Sequence, residues 1–201
     1  MPEIHGNIEG IRKSVLDEMA TLYDMQLEPD SFLPQDLLQS LCGYSASMNR
    51  EVAVYVTRYG EIADVFIGRA DHIDLPDLRL RRSERRLSMI RCIHTHPNGN
   101  GQLSDVDISA LLSMRFDAMC AVGVSPDGRP TSAQCAFLDS SHDGQVVRSE
   151  LLNARRLPQQ EWLSRIAETD AAYLKEEPQN DRERAVLVGI ESETSLDELE
   201  E

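Results

Sequence analysis

The stretch "RCIHTHPNGNGQLSDVDISALL", residues 91–112, holds the side chains whose types and spacing best suit chemistry. His94 and His96 stand two apart, and in a strand residues i and i+2 face one side. Their imidazoles therefore point together while Thr95 points away. Two imidazoles from one strand can bind one metal ion, and a catalytic zinc typically takes three protein ligands and leaves a fourth position to water. Asp107 is the candidate third ligand. It falls on the first turn of the helix expected over 104–115, and Pro97 to Leu103 form a loop long enough to fold that turn back over the strand end. Gly99 and Gly101 ease the return. Ser104-x-x-Asp107 is also a helix capping box, with Ser104 accepting from the Asp107 amide and the carboxylate favouring the positive helix N-terminus. The two readings are compatible, because a cap leaves carboxylate oxygen for a metal. By itself His-x-His is a weak signal. A cupin-like site wants a carboxylate a few residues after the second histidine, where Gly99 and Asn100 stand. An amidohydrolase-like barrel needs about 250 residues and more histidines than His5, His72 and His142 supply.

The elements that must position these residues follow from periodicity. Residues 9–23 place Ile11, Val15, Met19 and Leu22 at helical spacing, and residues 33–48 form a second helix with Leu37, Leu38 and Leu41 inward. "EVAVYVTRYGEIADVFIG", 51–68, alternates on both sides of Tyr59-Gly60 and reads as a hairpin. Residues 88–96 are a strand, and 117–138 a strand, a Pro-Asp-Gly turn and another strand. "GQVVRSEL", 144–151, extends the sheet, and a long amphipathic helix follows Pro158. The sum is an α/β sandwich: a mixed, mostly antiparallel sheet flanked by helices. "EEPQNDRER" reads as a linker, after which "AVLVGI" and "TSLDELEE" look like the opening of a second domain.

Composition narrows the function classes. The chain has 201 residues, 41% apolar and 27% charged, a globular balance. No run approaches the 18 or so apolar residues of a membrane span. "MPEIHGNIEG" has no basic region leading into an apolar stretch, so the expected compartment is the cytoplasm. Cys42, Cys92, Cys120 and Cys135 form no Cys-x-x-Cys pair and are expected to be buried and reduced. Net charge is −15; from Glu168 onward twelve acidic residues face Lys175, Arg182 and Arg184, a net −9, which leaves −6 for the rest. That acidity argues against nonspecific nucleic-acid binding. The local exception is Arg79, Arg81, Arg82, Arg85 and Arg86: a solvated loop or strand edge, or a patch for RNA, phosphate or an acidic partner.

The full pattern His-x-His-Pro-x(6)-Ser-x-x-Asp, at His94, His96, Pro97, Ser104 and Asp107, resembles the JAMM motif of the MPN (JAB) metallopeptidase fold. The resemblance implies His94, His96 and Asp107 as Zn2+ ligands and Ser104 as support for the oxyanion formed when water attacks a carbonyl. It also implies an upstream glutamate as general base. Glu51 starts the first hairpin strand, and residues 49–68 resemble the corresponding strand pair of RadC-type JAB domains; Glu61, beside the turn, is the runner-up.

A wider resemblance covers nearly the whole chain. Together "GNIEGIRKSVLDEMATLYDM", "IHTHPNGNGQLSDVDISALLSMRFDAM" and "RERAVLVGIESETSLDELEE" look like the N-terminal part of long-form HflX GTPases. This implies a JAMM/MPN-like domain over 1–178 and, over 179–201, a linker and the truncated start of the usual HflX N-terminal domain. It implies a cytoplasmic, ribosome-associated parent protein, with the large ribosomal subunit and the remaining HflX domains as partners. No Gly-x(4)-Gly-Lys-Ser/Thr loop occurs, so GTPase activity and nucleotide binding are not expected of this chain. In that setting Arg79–Arg86 would face rRNA. Two functions remain open: a zinc-dependent peptidase or isopeptidase-like hydrolase, or a non-catalytic regulatory or ribosome-interaction module with a vestigial or structural metal site.

Overall fold

The computed structural model describes residues 3–68, 87–97, 99–140 and 145–175. The Arg79–Arg86 cluster, the linker, the "AVLVGI" strand and the 178/179 boundary lie outside the described residues.

One open, eight-stranded sheet organises the described chain. Its strands are β1 (His5–Gly6), β2 (Val52–Thr57), β3 (Ile62–Ile67), β4 (Ile90–Pro97), β5 (Ala118–Val124), β6 (Pro130–Leu138), β7 (Val146–Arg148) and β8 (Leu152–Asn153). Their order is β1-β3-β2-β4-β5-β6-β7, with β8 also on β6. Most pairs are antiparallel; β1–β3 and β4–β5 are parallel. The helices are α1 (Lys13–Met19), α2 (Gln35–Met48), α3 (Asp105–Met114) and α4 (Gln159–Lys175). Among the described residues the architecture is therefore mixed α/β, with four helices on a mostly antiparallel sheet.

The two faces of the sheet are closed separately, as strand alternation requires. On one, Leu37, Leu38, Leu41 and Cys42 of α2 and Trp162 and Ile166 of α4 pack with Val54, Ile93, Cys120 and Cys135. On the other, Ala110 and Leu111 of α3 join Phe116, Tyr55, Cys92, Met119 and Ala121. Because β4 and β5 are parallel, the chain must cross between them, and α3 makes that crossing. This is what carries Asp107 back over the end of β4.

The helix expected over 9–23 is shorter than its periodicity suggests. Gly10 has φ of +75°, α1 starts at Lys13, and the chain tightens into a 3₁₀ turn over Ala20–Asp24. Tertiary contacts override the helical spacing there. The Tyr23 hydroxyl donates to Asp64 and to the Glu3 carbonyl, which draws the end of the helix onto β3. Among the described residues the other expected helices and strands are present, most with ends moved by one or two residues, while the strand expected over 144–151 is only Val146–Arg148. All four cysteines are buried and free. Among the described residues no helix is long and apolar enough to cross a membrane.

Candidate metal centre

His94 and His96 leave β4 on one face, and the neighbouring strands make room for them. In register, His94 lies between Ala53 of β2 and Ala121 of β5, and His96 lies beside Gly123. Ala53 and Ala121 keep the side chains beside His94 small, and Gly123 lets the following loop approach the sheet, since a Cβ there would stand 2.7 Å from the Gly101 nitrogen and the Gly99 oxygen. Thr95, on the opposite face, donates to the Val52 carbonyl and accepts from the Val52 amide, so its hydroxyl joins β4 to β2.

The third member arrives with α3. Ser104 is its N-cap and forms the full capping box with Asp107. The Ser104 amide and hydroxyl donate to Asp107 Oδ2 at 2.7 and 2.8 Å, and the Asp107 amide donates to Ser104 Oγ at 3.2 Å. The cap therefore takes one carboxylate oxygen. The other, Oδ1, lies 3.3 Å from His94 Nε2. This division is what the sequence pattern anticipated.

Both imidazoles present Nε2 to the same point: the two Nε2 atoms are 3.0 Å apart, and Asp107 Oδ2 is 3.9 Å from His96 Nε2. Ligand atoms around a tetrahedral zinc with bonds of about 2.0–2.1 Å stand roughly 3.3 Å apart. The three side chains bring a ligand atom each to within 4.8 Å of one another, and they are the only such group among the described residues. His94 is wholly buried, Asp107 is buried, and His96 is partly open to solvent. Two imidazoles and a carboxylate form a donor set suited to zinc and similar divalent cations.

Charge couples the three side chains to one another. Burial opposes charge on His94, but the Asp107 carboxylate overrides it and raises the imidazole well above its usual range. Burial pushes Asp107 upward, and the charge of His94 with the Ser104 donors outweighs it, holding the carboxyl below the ordinary range. Burial, then the charge on His94, lower His96 to about 4. His96 Nδ1 lies 3.0 Å from the Asn100 carbonyl, which can only accept, so the proton belongs on Nδ1 and the lone pair on Nε2. His94 Nε2 thus faces both other members of the cluster, His96 Nε2 at 3.0 Å and Asp107 Oδ1 at 3.3 Å.

No family model matches this chain, and no curated protein matches it.

Glu51 stands immediately before β2, buried, with Oε1 3.7 Å from His96 Nε2. Extending the antiparallel register Ala53↔His94 by two residues sets Glu51 opposite His96. Glu61 is exposed and lies at the hairpin turn, the other end of β2, some 20 Å of strand away. The structure therefore brings Glu51, His94, His96, Ser104 and Asp107 together and leaves Glu61 out.

Two contributors were invisible in the sequence. The Asn100 carbonyl orients His96, yet a backbone acceptor carries no residue-type signal. Cys92 lies two residues before His94 on the same face, directly opposite Tyr55, and forms the floor under His94. Only the face alternation of β4 hinted at that placement.

Proposed function

We propose that this chain is an MPN-type, zinc-dependent hydrolase domain cleaving a peptide, isopeptide or related amide bond, with His94, His96 and Asp107 as metal ligands and Glu51 as general base. The observation that carries this reading is the buried Glu51 carboxylate 3.7 Å from His96 Nε2. A structural zinc site is closed by four protein ligands; here three converge, which leaves a position for water, and hydrolysis needs a proton acceptor within about one water of the reacting centre. When bound, the cation would polarise the carbonyl and bring the pKa of a water towards about 7. Glu51 accepts the proton of the attacking water and returns it to the leaving amine. Ser104 holds Asp107 through the cap, and its hydroxyl serves the oxyanion only by turning away from Oδ2.

The resemblance of three segments to long-form HflX proteins supports an accessory role for the domain on a cytoplasmic, ribosome-associated GTPase, alongside the remaining HflX domains. A second reading is a non-catalytic regulatory or ribosome-interaction module. It draws on the His94–Asp107 pair, which balances the charge of the site without a metal.

Metal analysis and Glu51→Gln separate the readings. The zinc-replete chain is expected to hold one metal equivalent, lost in the double variant His94→Ala, His96→Ala. Glu51→Gln is expected to keep that metal and lose cleavage across a panel of peptide and isopeptide reporters. Absence of metal from the unaltered chain sinks the hydrolase; metal without cleavage by either form selects the module; equal cleavage by both removes Glu51 from the mechanism.

A further inference from the structure

We infer that Gln134 is a positioning residue of the metal centre: its side-chain amide sets the place of Asp107 by holding the loop between His96 and α3. The inference rests on the metal-site reading and concerns a residue three elements away in sequence.

The loop has to bring Asp107 onto a point defined by two strand residues, and glycine-rich loops have little stiffness of their own. Here the stiffness comes from β6. Thr131 Oγ1 donates to the Gly99 carbonyl at 2.8 Å, and Ser132 Oγ accepts from the Gly101 amide at 3.2 Å. Gln134 Oε1 accepts from the Leu103 amide at 3.0 Å. The loop is thus bonded to β6 at every second residue up to Leu103, next to the N-cap. Contact is close enough that a Cβ on Gly101 would stand 2.2 Å from the Ser132 carbonyl oxygen. The glycine is required there by close approach.

Gln134 differs from the other two because both ends of its amide are used. Nε2 donates to the Ser149 carbonyl at 2.9 Å while Oε1 takes the Leu103 amide, so the group cannot rotate without losing a bond. In register it lies beside Ala121, which lies beside His94. Gln134 therefore ties the carrier of Asp107 to the strand row that carries His94. Leu103 is itself buried, so its amide has no recourse to water once Gln134 is removed.

The test is a titration of the purified chain with Co2+ and with Zn2+, following affinity and, for cobalt, the visible absorption that reports ligand geometry. Gln134→Leu is expected to weaken metal binding about 10- to 100-fold, the size typical of losing a group that orients a ligand, and to alter the cobalt spectrum at saturation. Gln134→Glu keeps the acceptor for the Leu103 amide but loses the donor to the Ser149 carbonyl, and is expected to recover part of the affinity. Ser132→Ala, a milder cut of the same ladder, gives a smaller loss in the same direction and serves if Gln134→Leu does not fold. Affinity and spectrum unchanged in Gln134→Leu, or in Ser132→Ala as its substitute, overturn the inference. A chain that takes no cobalt or zinc even unaltered fails at the metal site itself, an outcome separate from failure at Gln134.

Discussion

On the proposed reading Asp107 caps α3 with one oxygen and serves the metal with the other, and two substitutions should separate the two roles. Ser104→Ala removes the hydroxyl that donates to Oδ2 and accepts from the Asp107 amide, leaving the Ser104 backbone bond to Oδ2 and leaving Oδ1 facing His94. Losing an N-cap serine costs about 1 kcal/mol, and in a chain of this size each kcal/mol moves the melting temperature by roughly 2–4 °C. The metal-free Ser104→Ala protein should therefore melt roughly 2–4 °C lower. Asp107→Asn keeps Ser104 and an acceptor oxygen for its amide but removes the anion beside His94. Its metal-free form should lose about 1–3 kcal/mol, the scale of a hydrogen bond to a charged group. The responses to metal should diverge. At free zinc one-hundredfold above its dissociation constant, a folded-state ligand adds about 2.7 kcal/mol, a rise of roughly 5–11 °C by the same conversion. The unaltered chain and Ser104→Ala should both show that rise, and Asp107→Asn should show almost none. Differential scanning calorimetry with zinc and with chelator reads all six values. If Ser104→Ala loses the zinc-dependent rise, or Asp107→Asn keeps it, the assignment of Oδ2 to the cap and Oδ1 to the metal is wrong.

The Asp107 carboxylate favours the charged form of His94, and burial lowers His96 to about 4, so metal binding is expected to release a proton from His94. The affinity should fall as the pH drops, because protons hold His94 against the metal more firmly; calorimetry in buffers of different ionisation enthalpy measures the count, and no release would contradict the charge assignment. Arg58 bonds Asp117 through two nitrogens at 2.5 and 3.0 Å and Asp170 at 2.6 Å. Asp117 is buried and Asp170 partly exposed, so Arg58→Ala should destabilise by about 3 kcal/mol and Asp170→Ala by no more than about 1 kcal/mol; equal costs in urea unfolding would show that burial of Asp117 is not what matters. Burial pushes the thiol of Cys42 up to about 12 and raises those of Cys92 and Cys135. A disulfide reagent at pH 8 should leave all four cysteines of the native chain largely unmodified and titrate four after unfolding.

The features legible in the sequence are local. Strand alternation puts His94 and His96 on one face, and a three-residue spacing makes Ser104 and Asp107 a cap, because both depend only on backbone geometry within one element. The hairpin, the later helices and the buried cysteines were legible for the same reason. The first helix was misjudged in length because Tyr23 is drawn onto β3 by residues some forty positions away. Glu51 could be named only as a candidate, since nothing local ties it to the histidines. The antiparallel register of β2 on β4 decides that it, and not Glu61, faces His96. The parallel pairing of β4 with β5 brings Asp107 back, and the lateral bonds from β6 hold it there. Register and strand order are properties of how distant segments share one sheet, and a linear pattern of residue types does not encode them.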